Sequence, residues 1–190
     1  MSKQPSTDRE EIILIGDPRL RIVSEPVMDF AGPEYLGGAQ RLARALGQFR
    51  AEHGFGRAIS APQIGIPLRM IAMDLGDGPF LLVNPELSGF SEEKFTMWDD
   101  CMSFPWLMVR VERHRRVNLK FRDEHGMTES WEKVEQALSE LLQHEVDHLD
   151  GILAVDRALD HDSLIARSVY DAQRDFFDAQ VDYSIKPTLL

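Results

Sequence analysis

The sequence predicts an α+β domain with antiparallel strand pairing, on three observations. Residues 135 to 149 contain no Gly or Pro and are rich in Leu, Glu and Gln; strand-like segments broken by tight turns precede them; and an apolar helical repeat lies nearer the N-terminus. The 190 residues suit one compact domain, and a domain of that size buries roughly 70% of the surface its unfolded chain exposes. No repeat, low-complexity tract or Gly/Ser linker divides it. One domain is therefore expected over 11–182, between a frayed polar N-terminus at 1–10 and a C-terminal tail at 183–190.

The elements follow in order. After the short apolar stretch Ile12 to Ile15, the segment Pro33 to Arg50 places Leu36, Ala39, Ala43, Leu46 and Phe49 at helical spacing, with Gly54 as a stop. Leu68 to Leu75 and Phe80 to Val83 read as strands joined at Gly76-Asp77-Gly78-Pro79, which suggests a hairpin. Further extended segments are expected near 91–98 and 109–122. The turn Arg122-Asp123-Glu124-His125-Gly126 then joins Val117–Phe121 to Thr128–Val134.

Between Glu135 and Leu149, residues Ala137, Leu141, His144 and His148 recur at i, i+4, i+7 and i+11, so one helix face is presented to something buried. Gly151 ends that helix. Ile152 to Val155 is expected to be extended, and 162–180 to be a last helix.

Composition excludes several classes. Hydrophobic residues make up 43% and charged residues 28%, as in ordinary globular proteins. A formal charge of −11 opposes nucleic acid as a partner. The apolar run near the N-terminus is too short for a signal or a membrane span, so a cytoplasmic protein without a membrane partner is expected. The single cysteine, Cys101, has no internal disulfide partner; packing, a reactive thiol and a metal thiolate all remain open for it.

Residues 144 to 148 are His-Glu-Val-Asp-His. On a helix, two histidines four apart project from adjacent turns and reach one divalent ion, and Glu145 beside the first reaches a water there as general base. Solvated histidines capping carbonyls are the plain alternative. Leu141, Leu142, Val146 and Leu149 argue for burial instead, and buried histidines need partners. A catalytic ion usually takes three protein ligands. The metzincin pattern requires a histidine where Ala154 stands, and no glutamate lies beyond Glu145 to complete a thermolysin-like site.

Cys101 lies in Asp99-Asp100-Cys101-Met102-Ser103-Phe104-Pro105. That block resembles the Glu-Gly-Cys-Leu-Ser motif of the peptide deformylase family. Gln143-His144-Glu145-Val146-Asp147-His148-Leu149 matches the family's Gln-His-Glu-x-Asp-His-Leu segment, and Gly56-Arg57-Ala58-Ile59-Ser60-Ala61-Pro62-Gln63 is similar to its Gly-x-Gly-x-Ala-Ala-x-Gln loop. The likeness extends from Asp17-Pro18-Arg19-Leu20-Arg21 to Gly151.

The resemblance implies antiparallel sheets packed around the central HExxH helix, with an N-terminal and a C-terminal helix. It implies an ion held by Cys101, His144 and His148: Fe(II) natively, with Zn, Ni or Co able to occupy the site. Glu145 would shuttle the proton, while the Gln63 amide and Met102 N–H would donate to the oxyanion as a formyl group is removed from N-formylmethionyl peptides. Gly56, Arg57, Ala58, Asp99, Asp100 and Leu141 would receive substrate. N-formylated nascent peptides are the implied partners, in transient proximity to the ribosome.

Departures from the family pattern are Ala58 for its second loop glycine, Ser60 for its first alanine, Asp99 for its Glu and Asp100 for its Gly. Asp100 is expected to add negative charge at the site, strengthening cation binding and weakening the ion as a Lewis acid. Trp106-Leu107-Met108 either cover the core or select substrate. These changes keep two alternatives in view: a hydrolase of another N-acyl amine, and a noncatalytic metal-stabilised binding protein. Arg113-His114-Arg115-Arg116 is expected to be a solvated face.

Overall fold

The computed structural model describes residues 9–185. Most of the segment expected to fray therefore lies outside the described residues, as does the tail beyond residue 185. The described parts of both are tied down: Arg9 pairs with Glu52, Glu10 with Arg41, and the Tyr183 N–H donates to the Thr96 carbonyl at 3.1 Å.

Pro33, which needs no N–H partner, opens helix α1 (Pro33–His53), and Gly54 ends it in left-handed backbone. The strands in chain order are β1 (Ala58–Ser60), β2 (Met70–Asp74), β3 (Pro79–Ser88), β4 (Lys94–Asp99), β5 (Leu107–His114), β6 (Val117–Arg122), β7 (Thr128–Val134) and β8 (Leu164–Ala166). They form a five-stranded sheet ordered β1-β2-β3-β6-β7 and a three-stranded sheet ordered β4-β5-β8, with antiparallel pairing throughout.

Strand alternation explains how the larger sheet is covered on both sides. Met70 and Ala72 face one way with Ile59 and Val83, against Leu42, Ala45 and Leu46 of α1. Ile71 and Met73 face the other way with Leu82 and Leu119, against Leu141, Leu142 and Leu149 of helix α2 (Gln136–Leu149). Leu142 is fully buried and contributes about 1.5 to 3 kcal/mol by leaving water. A polar side of α2 meets β5: Ser139 Oγ donates to the His114 carbonyl at 2.8 Å, and the Gln143 amide pairs with both the N–H and the carbonyl of His114. The HExxH helix is thus held between the sheets.

Gly151 follows α2 at φ 72°, where a Cβ would lie 2.6 Å from the Arg21 carbonyl oxygen, so only glycine fits. Arg21 belongs to a 3-10 turn, Pro18–Arg21, that seats Leu20 in the core. The Asp17–Arg21 block therefore braces the end of the HExxH helix.

Two expectations are corrected here. The extended piece expected over Ile152 to Val155 is cut short: Leu153 is extended, but Ala154–Arg157 forms a 3-10 turn in which Asp156 accepts from the Leu153 N–H at 2.8 Å. The single helix expected over 162–180 is replaced by β8, α3 (Arg167–Ala172) and α4 (Arg174–Asp178). The edge of β5 recruits Leu164–Ala166 as a strand, and Gln173 at φ −132° breaks the helical path. No apolar stripe runs through the segment, since Tyr170 and Phe177 are buried but Val169 and Phe176 are exposed.

Candidate active site

His144 and His148 project from successive turns of α2, with ring centroids 5.0 Å apart. The loop after β4 brings Cys101 beside them, its Sγ 3.2 Å from His148 Nε2, and the three donor atoms all lie within 4.8 Å of one another. All three residues are buried. One thiolate and two imidazoles fit a divalent first-row ion and leave a fourth position open.

Two of the three candidate ligands, His144 and Cys101, have a hydrogen-bonding support. Asp99 Oδ2 lies 3.0 Å from His144 Nδ1; the carboxylate only accepts, so that nitrogen donates and Nε2 is left for the ion. Asp99 also accepts from Arg113 at 3.2 Å, Arg113 donates to Asp147 at 2.5 Å, and Arg157 closes the chain on Asp147 at 2.8 Å. The Ser103 N–H approaches Cys101 Sγ at 3.4 Å. His148 Nδ1 is buried without a hydrogen-bond partner among the described residues.

Burial disfavours the charge on Asp99, but His144 and Arg113 hold its carboxyl at about 2. Burial likewise opposes charge on His144, and Asp99 reverses this to hold the imidazole well above its usual range. Burial pushes His148 well below that range and raises the Cys101 thiol.

Glu145 is buried on the same turn as His144 and opens on the same cleft. Ser60 Oγ lies 2.5 Å from its Oε2 and 2.9 Å from its main-chain oxygen, fixing the carboxylate from β1. Burial raises the Glu145 carboxyl, as suits a group that must accept a proton and return it. Gln63, in the 3-10 turn after β1, accepts from the Ser60 N–H at 2.9 Å, which orients its amide N–H groups toward Ser103 Oγ at 3.2 Å and Cys101 Sγ at 3.5 Å.

The cleft has a volume of 370 Å³ and brings Gly56, Arg57, Ala58, Gln63, Met102 and Leu141 to its walls beside the ligands. Gly56 has φ 120°, and a Cβ there would lie 2.9 Å from Met102 Cε. Asp99 and Asp100 also border the cleft, with their carboxylates committed elsewhere: Asp99 to His144 and Arg113, Asp100 to Arg167 at 2.6 Å. The added negative charge expected of Asp100 is therefore compensated by a guanidinium. Trp106-Leu107-Met108 divides, with Trp106 exposed, Leu107 packed beside the Cys101 cluster and Met108 buried at the cleft wall.

Four participants were hidden in the sequence. Arg113 is buried, contrary to the solvated face expected for its basic run; it continues the inward alternation of Val109 and Val111, and that alternation was the available signal. Ser60 stood only as a departure from a motif, and Arg167 gave no signal. Glu140 lies four residues before His144, on the same helix face, with its carboxylate 2.5 Å from Arg57.

A family model described as Polypeptide deformylase matches residues 9–163. The peptide deformylase of Thermotoga maritima is 34% identical over 146 residues, covering 77% of this chain and 85% of that protein. A protein of Brucella melitensis described as peptide deformylase-like is 38% identical over 149 residues, covering 77% and 86%. The crystal structure of the T. maritima enzyme aligns with a TM-score of 0.71 at 32% identity, over 80% of this chain and 99% of that one. A Synechococcus elongatus peptide deformylase in complex with actinonin gives a TM-score of 0.73 at 26% identity, covering 86% of each chain.

Proposed function

The chain belongs to the polypeptide deformylase family, and we propose that its hydrolysis is carried by Glu145 acting beside an ion held by Cys101, His144 and His148. The enzyme is a metal-dependent hydrolase that removes the N-formyl group from N-formylmethionyl peptides. One observation carries the assignment of roles: the three donor atoms within 4.8 Å share a buried site with the Glu145 carboxylate, which Ser60 fixes.

A bound divalent ion supplies Lewis acidity for the formyl oxygen and acidifies water. Glu145 takes a proton from the attacking water and passes it to the departing amine, so formate and a free N-terminus result. The Gln63 amide and the Met102 main-chain N–H donate to the developing oxyanion. Asp99 orients the His144 ring, and Arg113 keeps Asp99 ionised. Gly56, Ala58 and Leu141 form walls for the peptide, and Asp100 holds the rim through Arg167.

Fe(II) is proposed as the native ion on the family likeness, with Zn, Ni and Co as replacements that the same donor set can also hold. No helix among the described residues is long and apolar enough to cross a membrane. We propose a cytoplasmic location, where a charge of −11 disfavours lasting contact with RNA and nascent chains are met transiently at the ribosome. Anaerobic purification with metal analysis tests the ion, and ribosome co-sedimentation tests the encounter.

The central test is turnover of formyl-Met-Ala-Ser by metal-replete protein and by its Glu145→Gln variant. The variant is expected to retain metal and thermal stability while losing about 10²- to 10⁴-fold in kcat. Equal turnover by both proteins would remove Glu145 from the mechanism.

A further inference from the structure

The cleft beside the metal ligands ends in charge rather than in hydrocarbon alone. Arg57 and Glu140 both border it. The Arg57 guanidinium meets Glu140 Oε1 at 2.5 Å and donates to the Ala137 carbonyl at 2.8 Å, so the pair is fastened to the first turn of α2. Glu140 is 2% exposed and the Arg57 side chain 17%. Trp98, Met108 and Leu141 supply the apolar surroundings in the same cleft.

Position gives this pair its meaning. Glu140 stands one helical turn before His144, which places the two side chains about 5 to 6 Å apart at their Cβ atoms on one face of α2. When a formyl group is seated at His144, Cys101 and His148, the first side chain of the peptide starts within a linear side chain's reach of the pair. Among the described residues, the bond to Arg57 engages one carboxylate oxygen of Glu140, and guanidinium N–H groups remain beyond the two that donate to Glu140 and Ala137. The end of the pocket therefore offers both an acceptor and donors.

We propose that Arg57 and Glu140 are specificity-determining residues, forming a polar end to the pocket for the first side chain of the formyl peptide. A linear side chain ending in a neutral hydrogen-bonding group, such as an amide, is favoured over an aliphatic chain of the same length. The thioether of methionine, a weak acceptor, lies between them. An aliphatic tip would displace water from a charged pair and return no hydrogen bond, which is the cost that discriminates. This inference rests on the deformylase activity of the same site.

The experiment measures kcat/KM of the metal-loaded enzyme on formyl-Gln-Ala-Ser, formyl-Met-Ala-Ser and formyl-norleucyl-Ala-Ser. The parent is expected to favour the Gln peptide over the norleucyl peptide by about 10-fold or more. The double variant Arg57→Leu/Glu140→Leu removes both charges together and is expected to reverse the preference; Glu140→Gln, which keeps shape and hydrogen bonding, is expected to retain it should the double variant fail to fold. A parent that prefers norleucine, or a Gln-to-norleucine ratio unmoved in the double variant, would overturn the proposal while leaving the deformylase activity standing. Absence of turnover on all three peptides would instead strike at the activity itself.

Discussion

At the scale of single residues, the site depends on side chains whose freedom has been removed before any substrate arrives. Gln63 shows how. Its carbonyl oxygen is occupied by the Ser60 N–H, so its two N–H groups must point into the site. Gln63→Leu keeps bulk and removes the donors, and is expected to cost about 2.7 to 4 kcal/mol of barrier, or 10² to 10³ in kcat, with KM little changed. Steady-state kinetics on formyl-Met-Ala-Ser checks this, and a rise in KM at constant kcat would instead make Gln63 a simple binding group. The pattern that marked Glu145 and the two histidines was legible because spacing along a helix is a local property. Cys101 was legible only through its motif, and Ser60, Glu140 and Arg167 were not, because their partners Glu145, Arg57 and Asp100 lie 67 to 85 positions away.

At the scale of elements, α2 carries His144, Glu145 and His148, and its neighbours hold it in register. Its apolar face was readable from periodicity, and so was its stop at Gly151. Why the stop must be glycine was not, because the reason is the Arg21 carbonyl from a distant turn. Gly151→Ala would place a Cβ 2.6 Å from that oxygen while holding a left-handed φ of 72°, and is expected to destabilise the protein by about 1 to 3 kcal/mol. Urea denaturation measures the loss; an unchanged midpoint would mean that the Pro18–Arg21 turn yields freely and does not brace the helix. The C-terminal region shows the opposite limit. Helix-forming composition over 162–180 suggested one element, but a vacant edge on β5 offered Leu164–Ala166 ladder hydrogen bonds, and pairing of that kind leaves no mark in local periodicity.

At the scale of the whole molecule, two charged arrangements inside the fold couple stability to solution conditions. Burial pushes the Glu140 carboxyl up to about 7 from 4.5, against the pull of Arg57. The folded state then binds a proton that the unfolded state has released, so stability from this group is fully present below pH 4.5 and is lost as pH rises through about 7. The parent should therefore lose up to about 3 kcal/mol relative to Glu140→Gln across that window; parallel stability curves would mean that Glu140 titrates alike in both states.

The second arrangement is the metal centre, whose three donors come from α2 and from the loop after β4, so an ion there ties the two sheets together through the helix between them. The unfolded chain presents no such constellation, and an ion at 100 times its dissociation constant adds about 2.7 kcal/mol to folding. Chelation is expected to lower Tm by roughly 5 to 10 °C at this chain length, and titrating Zn or Co back should restore it in proportion to the logarithm of free ion. Scanning calorimetry with and without chelator reads both effects. A Tm indifferent to the ion would mean that Asp99, Arg113 and Asp147 hold the centre assembled unaided, and that the ion contributes to the reaction alone.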